Sequence, residues 1–263
     1  MGEMWREPSG FERRAVIARL AVERPDFIVN TGDLVAVGSS ETQWEIFDIE
    51  TQPLRAAGIG YLPVLGNHDL WPDDADGLAN WFARFAHLEG QRWSQVRYGS
   101  ITILLLDSNE SWLTSAQEAE QDEWLAARLH EADADPLVRC VILVCHQPPI
   151  TNSYAHGTSS WVRSHFVELA HSHPKVKAFI NGHVHSYEHF VERGIHFLVS
   201  GGGGAPLMNV AGPRGKFPDL YDGPRGHHFC RVIPREDRID VEMERMDDAG
   251  AWSIADRWSI QLP

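Results

Sequence analysis

The stretch DFIVNTGD, residues 26–33, joins a short apolar run to a polar turn. The apolar part has the length of a buried parallel strand, and such strands are covered on both faces and carry few polar residues. Thr31 and Gly32 then interrupt the run, and Asp33 follows directly. The stretch therefore predicts a buried strand that delivers a carboxylate at its carboxyl end.

Three further apolar runs also end in polar residues. These runs and the residues that follow them are Ile59–Val64 with Gly66-Asn67-His68-Asp69, Val138–Cys145 with His146, and Val176–Ile180 with Gly182-His183-Val184-His185. Because ligands bind outside the carboxyl ends of the strands in open α/β sheets, we expect these residues to form one site.

Helical periodicity alternates with these strands over residues 11–23, 41–56, 76–86, 115–131 and 159–171. At the start of the fourth helix, Ser115-Ala-Gln-Glu118 fits a capping box. The remaining sequence, residues 187–260, reads as alternating antiparallel strands. We therefore predict an α/β fold, a four-layer α/β/β/α sandwich with two mixed β-sheets face to face and helices outside, in a single domain over residues 1–263.

The net charge of −14 restricts the partners of the chain. An acidic protein repels a phosphate backbone, so we expect no nucleic acid polymer as a partner. The apolar runs are too short to cross a bilayer, so no membrane partner is expected. Three cysteines without a C-x-x-C pair, and an N-terminus without an apolar signal region, favour a cytoplasmic location.

The strand-end residues form a mixed oxygen and nitrogen donor set, which suits Mn, Fe, Zn or Mg. Each motif alone is also typical of a plain turn or a structural histidine. Ligand-competent residues at four separate strand ends favour a metal site. Paired metal ions can clamp phosphoryl oxygens and convert water into hydroxide, and they would reverse the local negative field.

The order of these motifs resembles the signature of the calcineurin-like metallophosphoesterases. Within that superfamily, three segments are similar to purple acid phosphatases: GHVHSYE at residues 182–188, NSYAH at residues 152–156 and GGGGAPL at residues 201–207. The resemblance implies a metal-dependent phosphoesterase that hydrolyses small phosphate mono- or diesters by metal-activated hydroxide.

The resemblance also implies a role for each site residue. Asp33 would bridge two metal ions, and the remaining metal ligands would be Asn67, His146 and His183 at one ion and His185 at the other. His68 would face the phosphate as a catalytic residue, Asp69 would orient His68, and His156 would help to bind the substrate. For His156, a role as a solvated loop histidine is an equal alternative.

The sequence departs from this family pattern at two places. No Asp-x-His motif occurs, and we expect the first strand and its motif to be missing from residues 1–263, so that Asp33 and His185 alone remain for the second ion. A sheet edge uncovered in this way favours a homodimer. Ala36 stands where purple acid phosphatases carry an iron-binding tyrosine, which predicts a colourless protein.

Two alternatives to an active phosphatase follow from these departures. The chain could be a catalytically impaired or non-catalytic binding or scaffold module on the same fold. A nuclease or a cyclic-nucleotide phosphodiesterase is a third possibility, of which the acidic charge disfavours the nuclease and leaves a small nucleotide open.

Overall fold

The computed structural model describes residues 10–88 and 90–263. Its helices are α1 (Gly10–Glu23), α2 (Glu41–Ala56), α3 (Asn67–Leu70), α4 (Asp74–Arg84), α5 (Ser115–Ala134) and α6 (160–170), the last with a π-helical turn at Arg163–Val167. Its strands are β1 (Phe27–Asn30), β2 (Gly60–Pro63), β3 (Ser94–Tyr98), β4 (Ile101–Leu105), β5 (Cys140–Val144), β6 (Val176–Asn181), β7 (Tyr187–Glu192), β8 (Ile195–Ser200), β9 (His228–Pro234), β10 (Arg238–Met246) and β11 (Trp252–Gln261). No described helix is both long enough and apolar enough to cross a membrane.

A six-stranded mixed sheet in the order β3-β4-β5-β6-β8-β7 forms the centre of the fold. Strands β4, β5, β6 and β8 are parallel, while β3 and β7 pair antiparallel at the two edges. Every residue of β4 and β5 is buried, as their continuous apolar sequence predicts. The parallel strands end at one side of the sheet, where the loops of the site begin.

Helices α5 and α6 cover one face of the central sheet. Leu125 and Leu129 of α5 and Phe166 of α6 belong to one buried cluster with Leu143 and Phe179 of the sheet. The apolar residues recur on one side of α5 at a spacing of four, which directs them to the sheet.

A second layer of strands packs on the opposite face of the central sheet. Ile142 and Leu198 of the central sheet share a buried cluster with Val241 and Met243 of β10. Helices α1 and α2 lie outside this layer, where Ile17 and Leu54 pack with Ile28 of β1. The predicted α/β fold with layers in the order α/β/β/α is therefore confirmed.

The second strand layer is divided into two parts. Within the described residues this layer consists of a parallel pair, β1 with β2, and a separate antiparallel sheet in the order β11-β10-β9. The two parts stay separate because no described strand pairs with both β1 and β9.

The N-terminus of α5 also differs from the prediction by one residue. Thr114 is the N-cap, and its hydroxyl oxygen accepts a hydrogen bond from the Gln117 backbone N–H at 3.3 Å. The Gln117 side chain accepts one from the Thr114 backbone N–H at 2.9 Å, which completes the capping box. The motif fits both Thr114 with Gln117 and Ser115 with Glu118, and the structure uses the earlier pair.

Candidate metal centre

Loops that follow β1, β2, β5 and β6 meet at the carboxyl end of the strands. Asp33 and His183 both have left-handed backbone conformations, with φ of 56° and 63°. Such conformations are uncommon for residues other than glycine and persist where the surroundings enforce them. A Cβ atom on Gly66 would lie 2.1 Å from Asp33 Oδ1, so this glycine is required for the two loops to meet.

Three donor atoms converge on Nε2 of the His146 imidazole. Its Nε2 lies 3.2 Å from Asp33 Oδ2 and 3.1 Å from both Asn67 Oδ1 and His183 Nδ1. Asp33, His146 and His183 offer ligand atoms that all lie within 4.8 Å of one another. Ligands about 2.0–2.2 Å from one ion lie about 3.0–3.5 Å apart in tetrahedral or octahedral geometry. The observed spacing therefore fits one metal ion.

The ring of His146 is held in the orientation that a ligand needs. Its side chain is buried, and its Nδ1–H donates to the Thr31 carbonyl oxygen at 2.7 Å. This hydrogen bond fixes the tautomer in which Nε2 carries a lone pair towards the other donors. Burial alone would lower the pKa of His146, but the Asp33 carboxylate opposes this effect and the pKa is raised.

The protonation states of the other donors also suit metal binding. Burial would raise the pKa of Asp33, but His146 and His68 lower it well below its ordinary value, so Asp33 is ionised. Burial and the neighbouring His146 lower the pKa of His183 to about 3. His183 is therefore neutral near pH 7, and neutral imidazole is the form that binds metal.

His68 lies beside this donor set. Its backbone N–H donates to Asp33 Oδ1 at 2.9 Å, and its ring Nδ1 lies 2.9 Å from the Ala36 carbonyl oxygen. The structure thus places His68 next to Asp33, and its catalytic role stays a prediction. Its ring is oriented by the Ala36 carbonyl group.

The carboxylate of Asp69 connects the loop of Asp33 with the loop of Gly66. Its buried carboxylate accepts hydrogen bonds at 2.8–3.3 Å from the backbone N–H groups of Asp33, Leu34, Val35 and Gly66. Burial and the Asp33 carboxylate raise the pKa of Asp69 to about 7, against the effect of these donors. Asp69 therefore joins the two loops through their backbones, and its orientation of the His68 ring stays a prediction.

His156 and His185 lie at the margin of the donor set. The ring centroid of His156 is 4.3 Å from that of His183, and burial lowers the pKa of both His156 and His185. His185 places its Nδ1 2.9 Å from the Pro206 carbonyl oxygen and does not belong to the cluster of Asp33, His146 and His183. Within residues 10–88 and 90–263, no second group of three such ligands is present. Whether each predicted residue ligates stays a prediction.

Asn109 is a site residue that the sequence analysis missed. It is buried, its Nδ2 donates to the Leu65 carbonyl oxygen at 3.0 Å, and its Oδ1 has no hydrogen-bond partner. It lines a small cavity of about 240 Å³ together with Asn67, Trp112 and His183. Asn109 follows β4 as Asp33 follows β1, so the same strand-end signal could have identified it.

Residues 11–187 match the sequence profile of the calcineurin-like phosphoesterase family. The chain belongs to this family. The match includes every predicted metal ligand and covers the loops after β1, β2, β5 and β6. Members of the family are metal-dependent phosphoesterases, which agrees with the donor set around His146.

Individual relatives agree with the family and with the fold. The chain is 25% identical over 260 residues to purple acid phosphatase 21 of Arabidopsis thaliana, covering 90% of this chain and 57% of the relative. Among solved structures, purple acid phosphatase PPD1 from yellow lupin (Lupinus luteus) seeds has a TM-score of 0.75 at 20% identity, covering 95% of this chain and 49% of that one. GAP50, described as the anchor in the inner membrane complex of Plasmodium, has a TM-score of 0.71 at 15% identity, covering 98% and 85%.

The chain thus spans about half the length of these two purple acid phosphatases. The structural similarities are below 25% identity and show the shared fold. The recognition of a calcineurin-like phosphoesterase is confirmed by the family match, and the chain is similar to purple acid phosphatases.

Proposed function

We propose that this chain hydrolyses small phosphate mono- or diesters with a transition-metal ion held by Asp33, Asn67, His146 and His183. The observation that supports this most directly is the convergence of three donor atoms within 3.1–3.2 Å of His146 Nε2. When bound, such an ion supplies positive charge for the phosphoryl oxygens and lowers the pKa of water.

The chain's own residues would position the ester and move protons. His68 is anchored to Asp33 through its backbone N–H and to Ala36 through its ring, so it is fixed relative to the ligands. From this position His68 would provide a proton to the departing oxygen, a step worth about 10²–10⁴-fold in rate. His156, beside His183, would donate a hydrogen bond to a phosphoryl oxygen.

Two exposed aromatic side chains adjoin these histidines and support an ester with an organic group. Trp71 is 50% exposed and lines the same cavity as His68, and Tyr154 is 76% exposed two residues before His156. Aromatic rings provide apolar contact area at a rim that is open to solvent.

The test is hydrolysis of p-nitrophenyl phosphate and bis-p-nitrophenyl phosphate after loading with Mn, Zn or Fe. We expect His68→Ala to lose about 10²-fold or more of the rate while its metal content stays unchanged. His130→Ala, on the exposed side of α5, is the matched control and should keep the wild-type rate. Equal rates for wild type and His68→Ala, with metal bound to both, would refute the proposal.

A non-catalytic binding module is the second candidate. It is favoured by the position of His185 outside the ligand cluster, which leaves the second ion without a complete ligand set among the described residues. GAP50, described as an anchor, shares this fold, and a fold does not by itself imply catalysis. Stoichiometric metal binding with no hydrolysis of either ester above the His68→Ala level would favour this candidate.

A further inference from the structure

The small cavity of about 240 Å³ beside the metal centre has an asymmetric lining. Asn67 and His183, two of the proposed metal ligands, line one part of it. Asn109 and Trp112 from the loop after β4 line another part, together with Gln147. We call this space the Asn109 cavity. A group bound in it would lie next to the metal centre.

The side-chain amide of Asn109 is held in one orientation. Its Nδ2 donates hydrogen bonds to the Leu65 carbonyl oxygen at 3.0 Å and to Asp107 Oδ1 at 2.8 Å. Both partners are acceptors, so rotating the amide by 180° would place its oxygen against two other oxygen atoms. Oδ1 is therefore the remaining polar atom of Asn109, and no described residue donates a hydrogen bond to it.

The unpaired Oδ1 indicates what kind of group the Asn109 cavity binds. Asn109 is only 1% exposed, and buried polar atoms are almost always hydrogen-bonded to protein, water or a ligand. An amide oxygen only accepts hydrogen bonds, so its partner must be a donor. An ionised phosphoryl oxygen cannot donate. The partner would therefore belong to the organic part of a phosphate ester.

A buried ion pair holds the loop of Asn109 in place. Arg92 Nε lies 2.6 Å from Asp107 Oδ2, and both side chains are buried. Asp107 Oδ1 also accepts a hydrogen bond from the Asn109 backbone N–H at 2.9 Å, while Arg92 Nη1 donates to the Trp112 carbonyl oxygen at 2.9 Å. Asn109 and Trp112 are thus fixed relative to each other, and such preorganisation reduces the entropy lost on binding.

Gln147 is connected to the same loop. Its backbone N–H donates to Ser108 Oγ at 2.9 Å, and its carbonyl oxygen accepts a hydrogen bond from Asn181 Nδ2 at 3.3 Å. Gln147 directly follows His146, so the lining of the cavity and the metal donors are held by one network. A glutamine side chain can both donate and accept, which suits a second hydroxyl group.

The charges around the Asn109 cavity favour an uncharged donor. The Asp107 carboxylate is already paired with Arg92, and Glu110 is an exposed residue at the rim. An ammonium group beside Asn109 would therefore lose hydration without a buried, unpaired carboxylate to replace it, which is costly. A hydroxyl group avoids this cost. The half-buried indole ring of Trp112 adds apolar contact area for carbon atoms.

The volume of the cavity limits the size of this group. It is smaller than the about 300–1,000 Å³ of pockets that enclose drug-sized ligands. We propose, on the basis of the proposed phosphoesterase function, that the Asn109 cavity binds a small polyol group of the ester, with one hydroxyl donating to Asn109 Oδ1. Asn109 then determines substrate specificity and is not a metal ligand.

The test compares glycerol 1-phosphate, propyl phosphate and 2-aminoethyl phosphate as substrates of the manganese-loaded full chain. The first two differ only by two hydroxyl groups. We expect kcat/KM for glycerol 1-phosphate to be at least about tenfold higher than for either other ester, because an ester without the hydroxyl leaves a buried acceptor unpaired. This comparison uses the wild type and does not depend on the folding of a variant.

A pair of variants corrects for the different intrinsic reactivities of the esters. Asn109→Leu removes the acceptor at similar volume and should reduce the preference for glycerol 1-phosphate over propyl phosphate at least about fivefold. Asn80→Leu is the matched control, because Asn80 Nδ2 also donates to a carbonyl oxygen, that of Gly38 at 3.1 Å, but Asn80 does not line the cavity. It should keep the preference. Unfolding curves and elemental analysis verify that both variants are folded and keep their metal.

Calorimetry distinguishes failure of this proposal from failure of the proposed function. The metal-loaded His68→Ala variant should bind glycerol 1-phosphate at least about fivefold more tightly than propyl phosphate. This preference without any hydrolysis by the wild type would refute the phosphoesterase function and support the polyol site. Hydrolysis of all three esters with equal kcat/KM would support the function and overturn the polyol site, with Oδ1 bound only to a buried water molecule.

Three further outcomes would overturn the proposal. The first is a preference for 2-aminoethyl phosphate, and the second is an unchanged preference in folded Asn109→Leu. The third is loss of the metal ion from Asn109→Leu, which would identify Asn109 as a metal ligand. If Asn109→Leu does not fold, the comparisons with the wild type and with His68→Ala decide.

Discussion

The Asp69 carboxylate accepts a hydrogen bond from the backbone N–H of Asp33 at 3.0 Å. Asp69 therefore holds the backbone that would present the Asp33 side chain to a metal ion. The same carboxylate binds the Gly66 N–H at 2.9 Å, which ties the loop of His68 to the loop of Asp33.

Replacement of Asp69 tests this structural role. Asp69→Ala leaves buried N–H groups of Leu34 and Val35 without an acceptor, and each costs about 1–3 kcal/mol, so we expect the free energy of unfolding to fall by about 3 kcal/mol. Asp69→Asn keeps one carbonyl oxygen as an acceptor, so its free energy of unfolding should fall less than that of Asp69→Ala. Metal affinity should fall in both variants because the Asp33 backbone is released.

Asp73→Ala is the matched control for these variants. Asp73 is exposed and caps α4 through the N–H groups of Ala75 and Asp76, so its loss should cost only about 1 kcal/mol. Urea denaturation of the metal-free proteins provides the comparison. If Asp69→Ala is as stable as Asp73→Ala, the carboxylate does not hold the loops together.

The number of metal ions bound per chain tests whether His185 belongs to the ligand set. We expect one tightly bound ion per chain after gel filtration, because Asp33, His146 and His183 form the cluster and His185 lies outside it. His146→Ala should lose this ion, whereas His185→Ala should retain it. Elemental analysis that finds two ions in the wild type, and one in His185→Ala, would show that His185 completes a second site.

Iron loading tests the consequence of Ala36. A methyl group cannot bind iron, and in this structure the Ala36 backbone is engaged with Gln43 and His68. We therefore expect the iron-loaded protein to show no tyrosinate charge-transfer band in the visible spectrum. A visible band that persists after removal of unbound iron would mean that another tyrosine reaches the metal.

Buried histidines away from the metal centre predict loss of stability in acid. Burial and the neighbouring His196 lower the pKa of His189 to about 3, and burial lowers the pKa of His228 to about 4. Both values lie below about 6.5 for the unfolded chain, so the unfolded state binds more protons between these limits. The contribution of these two histidines to the free energy of unfolding is present above about pH 6.5 and is lost as the pH falls towards about 4.

Denaturation at pH 7.5 and 5.0 measures this effect. Each histidine should contribute about 2 kcal/mol to the loss at pH 5.0. His189→Gln should reduce the difference between the two pH values, while His130→Gln, at an exposed position of α5, should not. An unchanged difference in His189→Gln would exclude this residue as a source of acid sensitivity.

The sequence predicted the layers and the donor set because both depend on local patterns. Asp33, His146 and His183 each follow a strand-length apolar run, and the structure brings their ligand atoms within 4.8 Å of one another. The role of Asp69 was not predictable in this way. Its partners at residues 33–35 are more than thirty positions distant, and only the approach of two loops reveals them.

The pairing of strand edges shows a second limit of sequence patterns. Apolar runs identify β1 and β9 as strands, but they do not indicate which edge of each strand pairs with a neighbouring strand. The start of α5 shows a smaller limit, since two overlapping capping boxes fit the sequence and the one at Thr114 forms. Tertiary packing determines which strand edges pair and which capping box forms.

The left-handed backbones of Asp33 and His183 bear on how this site would take up a metal ion. Both residues are already held in place by protein contacts, so little chain entropy would be lost on binding an ion. Binding would then require little rearrangement of the loops. A donor set of oxygen and nitrogen atoms does not by itself select one transition metal, so the supply of metals during growth would help to decide which ion a purified sample contains.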